Sequence, residues 1–484
     1  MRIAIVGGGA AGAACAYALS RDNDNGTKII HLYESCASLG GVATTTTTST
    51  KMDNEEKKQT LVFNDGVQGG AESYRNTLML LKECNCPDVH WINVRVSFGK
   101  GKNNWTNYKS SESSLIREHR EEIKKFGQLL KRVTRYEWYY AFRSIEAVLS
   151  ANSFSRDFRE RIVYPLVALF FGTGNQTKNV SSVLFARVFT DERLRLYDYD
   201  ERYFLSQTPR MMAFPPFEDV YRSIQEKIER QGVKVFLGRT VEKVERKRKT
   251  VKVYSRTRRE GGADDEENKE AAALCEDTYD RIVFACNTEQ TEKMLTQTKM
   301  SFMEKFIFKN ITYFDDVSVT HTDREYMERH YDETVGDMYF VKTYDDLPDK
   351  IEMSFDLKAY QPSLNQERCY QSIFLDRASD EHKWTKHEID PKKTILTKWW
   401  RQFGHTVKHF TRSVPLWRFV QGKRNTYFAG SYTLVNTHEI AVISGFAAAF
   451  RLGAKYPFEA EDDLGQFDLY LSLIHGTKRR KSWH

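Results

Sequence analysis

The chain has 484 residues, 73 Lys plus Arg against 66 Asp plus Glu for a formal charge of +7, and 40% hydrophobic and 29% charged residues. That length allows two domains and a sizeable core, and the composition is that of a soluble globular protein rather than a disordered one. Seven cysteines at irregular spacing, with Cys84-Asn85-Cys86 lacking zinc-ligand spacing, point to free thiols in a reducing compartment and to no metal site.

In chain order, Arg2 to Val6 reads as a short buried strand. It leaves no room for a cleaved leader, and no apolar run reaches the ~18 residues a membrane span needs, so the expected location is the cytoplasm. Gly7-Gly8-Gly9-Ala10-Ala11-Gly12 follows, a G-x-G-x-x-G that opens an Ala-rich helix over Ala10 to Leu19. Gly7 permits the tight turn, Gly9 leaves room for a pyrophosphate against backbone, and Gly12 lets helix and strand pack closely. The helix N-terminus adds N–H donors and the positive end of its dipole. The next strand, Lys28 to Glu34, ends in an acid 22 residues after Gly12. That is near the spacing of a carboxylate that bonds a ribose 2′-OH, which favours FAD or NAD over a 2′-phosphate. A glycine turn that binds nothing, or binds another nucleoside ligand, is the alternative.

Gly40-Gly41 is a second glycine pair, and the Thr44 to Lys58 stretch, with no apolar periodicity, reads as a solvated insertion. A strand over Thr60 to Asn64 and a helix containing Leu78 to Leu81 come next. From about residue 85 to 205 the pattern turns helical (Ser114 to Tyr136, Phe154 to Phe171), which suggests an inserted domain. Phe217 to Gln231 is an amphipathic helix, Lys234 to Leu237 a strand and Val241 to Ser255 a hairpin. The hairpin carries a run of cations, and Asp264 to Glu267 form an acidic block behind it. Neighbouring blocks of opposite sign read as mutually neutralising, and with no nucleic-acid motif present no nucleic-acid partner is expected. Tyr279 to Cys286 is a buried strand.

Residues 300 to 410 mix strands with irregular segments; Trp399-Trp400 and His405 either wall a cavity or sit in the core, His321 reads as surface or core, and the Tyr139-Tyr140 and Phe170-Phe171 pairs, in helical stretches, read as core rather than cavity. A strand over Thr426 to Ala429, Gly430, and a small-residue helix over Ala441 to Leu452 close the pattern. The tail, apolar over Leu469 to Ile474 and then basic, is a frayed terminus or a weak contact for an anionic membrane surface. Two glycine elements more than 400 residues apart fit one long cofactor lying across a composite domain.

On four motifs the chain resembles the flavin-containing amine oxidoreductase superfamily, in its predicted NAD/FAD-binding branch. They are the Gly7–Gly12 loop with Glu34 and Gly40-Gly41, the Phe63 to Gly69 turn, Val241 with the Ile282 to Ala285 strand, and the Gly430 to Gly445 element. The resemblance implies an α/β fold: a Rossmann-like FAD-binding domain from 1–80, 206–290 and 411–484, with an inserted α+β substrate domain from 81–205 and 291–410. By position, it implies that Gly7, Gly9, Ala11 and Gly12 hold the pyrophosphate, Glu34 the adenosine ribose and the Val241 backbone the adenine. Gly430 and Ser431 fall beside the pyrophosphate and ribityl chain, and His438 to Ile440 beside the flavin ring. Two departures stand out: Val42 where the family often has Arg, and Ser431 where it often has an acid. No cysteine follows Cys369, so the cysteinyl tether of some members has no counterpart and FAD is expected to be non-covalent, with a histidyl link left open.

The implied activity is an FAD-dependent oxidoreductase taking hydride from a small or lipid-like substrate, by amine oxidation, carbon–carbon desaturation or isomerisation, with O₂ among the acceptors. A flavin-binding protein without turnover and an NAD-dependent protein are the alternatives. For catalysis, His438 as a proton relay with Glu439 fixing its tautomer is one reading. The other is that Asn436 or Thr437 caps the helix and Glu439 sits in its first turn.

Overall fold

The computed structural model describes residues 1–21, 23, 26–51, 58–191, 197–205, 207, 209–257, 273–295, 300–332, 336–347, 350–362, 364, 368–458 and 465–479. Five short apolar runs pair side by side, all parallel, in the order Lys234–Phe236, Ile29–Tyr33, Arg2–Val6, Arg281–Phe284 and Thr426–Phe428. Ile3, Ile5, Leu32, Ile282 and Phe284 are fully buried, as a parallel sheet covered on both faces requires. Because the strands share one direction, Val6, Tyr33, Phe284 and Phe428 all end on the same edge. This is the edge at which open α/β sheets take ligands.

The helix Ala10–Arg21 is buried from Ala11 to Ser20, and the helix His438–Arg451 packs on it. Their backbones nearly touch: a Cβ placed on Gly445 would run into the Ala11 carbonyl. Residues from the two ends of the chain are thereby fixed against each other.

A second sheet of seven strands runs in the order Thr394–Phe403, Tyr313–His321, Tyr370–Phe374, Ile351–Asp356, Tyr339–Thr343, Val96–Phe98 and Trp105–Thr106. Its pairs are antiparallel except Tyr339–Thr343 with Val96–Phe98. Successive residues of a strand face opposite sides. Val317, Val319, Phe340 and Phe374 therefore pack with Tyr326 and Trp384 on one face, which leaves Asp316, Ser318, Met353 and Ile373 to the other. The helices Arg120–Arg135 and Ser182–Thr190 and the turns around them bury Phe126. The rings of Phe154, Phe158, Phe185, Phe189 and Phe204 lie 5.6–6.3 Å from it, so much of the aromatic richness is core.

Several sequence expectations are corrected. The threonine run is a strand: Thr45–Lys51 pairs antiparallel with Lys58–Asn64, since β-branched threonines suit a half-exposed hairpin that needs no apolar alternation. The expected Phe154 to Phe171 helix contains a widened π turn, Phe158–Val163, just before Pro165, which has no N–H to continue the ladder. The expected strand Tyr279 to Cys286 is two strands, Cys275–Tyr279 and Arg281–Phe284, in different sheets. Several cations of the basic hairpin are paired within its own sheet or by one helix, and the acidic block expected to neutralise them lies outside the described residues. Lys243 pairs with Glu245, Arg256 with Glu242 and buried Arg246 with Glu304. The apolar part of the tail is not free for a membrane either, because Phe467, Tyr470, Leu471 and Ile474 of the helix Gln466–His475 are packed inside. Among the described residues no helix is long and apolar enough to cross a membrane.

Burial holds five histidines neutral. It lowers the pKa to about 3 at His405 and His475 and to about 4 at His321, His409 and His438. An unfolded histidine takes its proton near pH 6.5. Below that pH the unfolded chain therefore binds more protons than the folded one, and stability falls with pH until the folded values are reached. Each such histidine costs on the order of 1 kcal/mol per pH unit. Asp316 and Glu439, whose carboxyls burial raises, act in the opposite sense and are outnumbered. The melting temperature is expected to drop steeply between pH 6.5 and pH 4.5 and to change little between 6.5 and 8, as thermal melts across that range will show.

Candidate active site

Each parallel strand delivers a turn to the common edge. Arg2–Val6 runs into Gly7, whose φ of +106° is open only to glycine, and whose N–H donates to the Tyr33 carbonyl at 2.8 Å. Gly12 faces the back of this turn, where a Cβ would collide with the Gly7 carbonyl. Ile29–Tyr33 runs into Glu34, which is buried and accepts from the Gly8 N–H at 2.7 Å and the Cys36 N–H at 2.8 Å. The Glu34 carboxylate thus clamps the glycine turn to the next strand. Gly40 bridges to Gly9, and its N–H donates to the Gly8 carbonyl at 3.0 Å. Beyond Thr426–Phe428 comes Gly430, held by the Ser444 hydroxyl at 2.8 Å.

These turns open on one cavity of about 940 Å³, at the upper end of the range for ligand pockets. Gly7, Gly9, Ala11, Glu34, Gly40, Gly41 and Val241 line one end, and Gly430, Ser431 and His438 also face it. The other end reaches the second sheet, with Tyr339, Met353, Phe355, Ile373 and Trp400 as its walls. Trp399, on the opposite face of its strand, is left exposed, and His405 is buried behind the cavity. Phe171 serves both core and cavity. Gly12 supports the loop from behind. Val42 lines the cavity and is largely exposed.

Glu439 and Ile440 are not among the cavity-lining residues. The Ile440 N–H is taken by the Thr437 hydroxyl, which caps the helix. Glu439 does not touch His438 in the way a tautomer-fixing partner must. Its carboxylate accepts from the backbone N–H of Asn76 and of Thr77, both at 2.8 Å, and from the Asn76 amide at 2.9 Å. It therefore supplies the N-terminal cap that the helix Arg75–Glu83 lacks, since Tyr74 offers none. His438 has both ring nitrogens engaged, by the Tyr221 hydroxyl at 2.9 Å and the Thr77 hydroxyl at 3.2 Å. Of the two sequence readings, the helix cap by Thr437 is present, while the Glu439–His438 contact that the relay reading supposes is absent.

Sequence reasoning missed Asp316. It lies on the inward face of Tyr313–His321 in register with Trp400, is buried, and lines the cavity. One oxygen accepts the Asp376 N–H at 2.7 Å. No cation stands within ion-pair distance among the described residues, and burial, with the nearby Asp376 and Asp315 carboxylates, lifts its pKa to about 7, while the Asp376 N–H and the more distant Arg401 pull the other way. The nearby cations are already matched. Arg401 gives two N–H bonds to Glu289 (2.9 and 2.7 Å) and pairs with Asp315 at 3.0 Å. Lys398 sits on both oxygens of Asp65 at 3.0 and 2.9 Å. A strand with an acid in phase with Ser318 was the available signal, hidden by the adjacent and exposed Asp315.

The family model of the NAD(P)-binding Rossmann-like domain matches residues 5–84. No curated protein matches the chain in sequence. Among solved structures, the chain is similar to a CLA-producing fatty acid isomerase from P. acnes (TM-score 0.62, 13% identity, covering 94% of this chain and 99% of that one). It is also similar to cyclohexylamine oxidase from Brevibacterium oxydans IH-35A (TM-score 0.59, 14% identity, 93% and 99% covered). Wild-type putrescine oxidase bound to putrescine is a third (TM-score 0.58, 13% identity, 93% and 99% covered). These likenesses show a shared fold along nearly the whole chain.

Two outcomes follow from the geometry. Glu439→Ala leaves three buried donors without a partner and is expected to cost about 3 kcal/mol, read as a lowered melting temperature, whereas a catalytic Glu439 would lose turnover in Glu439→Gln with the melt unchanged. For Asp316, the folded carboxyl keeps its proton to about pH 7 while the unfolded one releases it near 4, so this residue costs stability as pH rises through that window. Asp316→Asn is therefore expected to melt higher than the parent at pH 8, with the gain shrinking toward pH 5.

Proposed function

We propose that this chain, which has the fold of the flavin-containing amine oxidoreductases, binds FAD non-covalently and is an oxidoreductase acting on a small, largely apolar substrate. The observation that carries this reading is the continuity of one cavity from the Gly7–Gly12 turn, past Gly430 and the helix start at His438, to the apolar face of the second sheet. The donor set fits a flavin dinucleotide. The backbone of Gly7, Gly9 and Ala11 at the start of a helix suits the pyrophosphate, and Glu34 at the end of the second strand suits the adenosine ribose. The Val241 backbone would meet the adenine, and Gly430 and Ser431 would lie along the middle of the cofactor. When bound, the flavin supplies a hydride acceptor. The chain's part is to orient the substrate and to exclude water with the Tyr339, Met353, Phe355 and Ile373 wall.

Charge favours one substrate class within that reading. Arg401 and Lys398 are paired with other carboxylates, and Asp316 at the apolar end has no cation within ion-pair distance among the described residues, Arg401 acting on it only from farther off. A cationic amine would find a partner there, whereas a fatty acid carboxylate would meet an acid and no available cation. His438, with both nitrogens bonded, orients the helix start and moves no proton in this scheme.

Purified protein is expected to carry, or to take up, FAD and to release it on denaturation. Gly12→Val, which drives a side chain into the Gly7 carbonyl, is expected to abolish retention as followed by flavin absorbance. Persistent flavin in that variant would overturn the placement. Anaerobic bleaching with matched alkylamines and unsaturated fatty acids reads the substrate class: amines are expected to reduce the flavin and fatty acids to leave it oxidised. Asp316→Asn is expected to raise the amine KM by about tenfold or more, the worth of one charge-assisted bond.

A further inference from the structure

Between Lys131 and Arg143 the chain reads Lys-Arg-Val-Thr-Arg-Tyr-Glu-Trp-Tyr-Tyr-Ala-Phe-Arg. The segment covers the end of the helix Arg120–Arg135 and the short turn Glu137–Tyr140. Four of its aromatic side chains stand in solvent: Trp138 at 74% exposure, Phe142 at 69%, Tyr139 at 44% and Tyr136 at 42%. Single exposed apolar residues need no explanation, but large aromatics grouped within seven residues do. The sequence alone reads Tyr139-Tyr140 as core, and only Tyr140 is.

The base of this projection is firm. Tyr140 is buried, Glu137 makes two bonds to Arg187 at 2.8 and 2.7 Å, and Arg143 donates to the Tyr139 hydroxyl at 2.6 Å while lying over its ring. The charges around it are one-sided. Lys131, Arg132, Arg135 and Arg143 have no carboxylate partner among the described residues, and the one acid of the segment, Glu137, is spent on Arg187. In the strands of the basic hairpin Lys243, Lys252 and Arg256 each face a carboxylate; this segment leaves four cations unanswered beside four bared rings.

We propose that this projection docks the protein reversibly on an anionic lipid bilayer. Trp, Tyr and Phe settle at the boundary between headgroups and acyl chains, and flanking Lys and Arg meet the negative surface. A second copy of the chain is a poor occupant, because a two-fold contact would bring the four cations against their own counterparts. A single-stranded nucleic acid is a poorer fit than a bilayer, because stacking readers track the strand along a groove, and here the rings project from a turn at a helix end. The inference is independent of the flavin reading, and its test does not use the cofactor.

The full chain is to be sedimented with vesicles of phosphatidylcholine, with and without phosphatidylserine, at low and high salt. Binding is expected only with phosphatidylserine and is expected to weaken as salt rises. Trp138→Ser with Phe142→Ser is expected to lower vesicle affinity at least tenfold, and Arg132→Glu with Arg135→Glu to remove the preference for phosphatidylserine. Both variants should keep the parent melting temperature, because the changed side chains are exposed. The proposal fails if the parent ignores anionic vesicles, or if the Trp138/Phe142 variant binds them as the parent does. It also fails if the pair of changes dissolves a self-association seen by ultracentrifugation, or if single-stranded DNA is bound while vesicles are not.

Discussion

The parallel direction of five short strands governs the molecule. A parallel sheet collects the carboxyl ends of its strands on one edge, and four of the five here lead into turns that line the cavity, at Gly7, Glu34, Ala285 and Gly430. The edge holds its shape because the turns are tied to one another rather than to solvent. The Glu34 carboxylate grips the Gly8 N–H, Gly40 reaches back to Gly8, and Gly445 lets one helix lie directly on the other. Backbone donors pointing into a preformed hollow require little reorganisation when an anion arrives, which is what a phosphate site needs.

Burial and charge divide the molecule's acids and bases into two kinds. Some are matched where they stand, as Lys398 on Asp65, Arg246 on Glu304 and Glu439 on the N-terminus of the Arg75–Glu83 helix. Others are not. Asp316 has no cation within ion-pair distance at the apolar end of the cavity, and Lys131, Arg132, Arg135 and Arg143 have no carboxylate partner at the surface, among the described residues. Matched groups explain stability; unmatched ones are where an outside partner has something to gain.

The parts of the fold legible in the sequence were those governed by local chemistry. The Gly7–Gly12 turn, the acid at Glu34 and the small-residue helix from His438 have backbone reasons that hold wherever the rest of the chain goes. The Thr45–Lys51 strand was not legible, because its pairing depends on a partner strand and not on its own periodicity. The partners of His438 and Glu439 were not legible for a similar reason. The resemblance put both at the start of one helix, but the helix turns Glu439 through roughly 100° from its neighbour, toward Asn76 and Thr77, more than 360 residues away. Asp316 was hidden because an acid in a run of two looks solvated until the strand's alternation sends one of the pair inward.

The contact of the helix Ala10–Arg21 with the helix His438–Arg451 also sets an order in time. At roughly 5–20 residues per second of synthesis, the second helix emerges some tens of seconds after the first. Until it does, the Ala11 to Ser20 face and the strand end at Phe284 lack their eventual cover. The glycine turn is written first but can be completed only last, so the nascent chain must carry an unfinished apolar surface through most of its own translation. Such a topology, with its defining contact closing a loop of more than 400 residues, folds slowly and leans on whatever shields that surface in the interval.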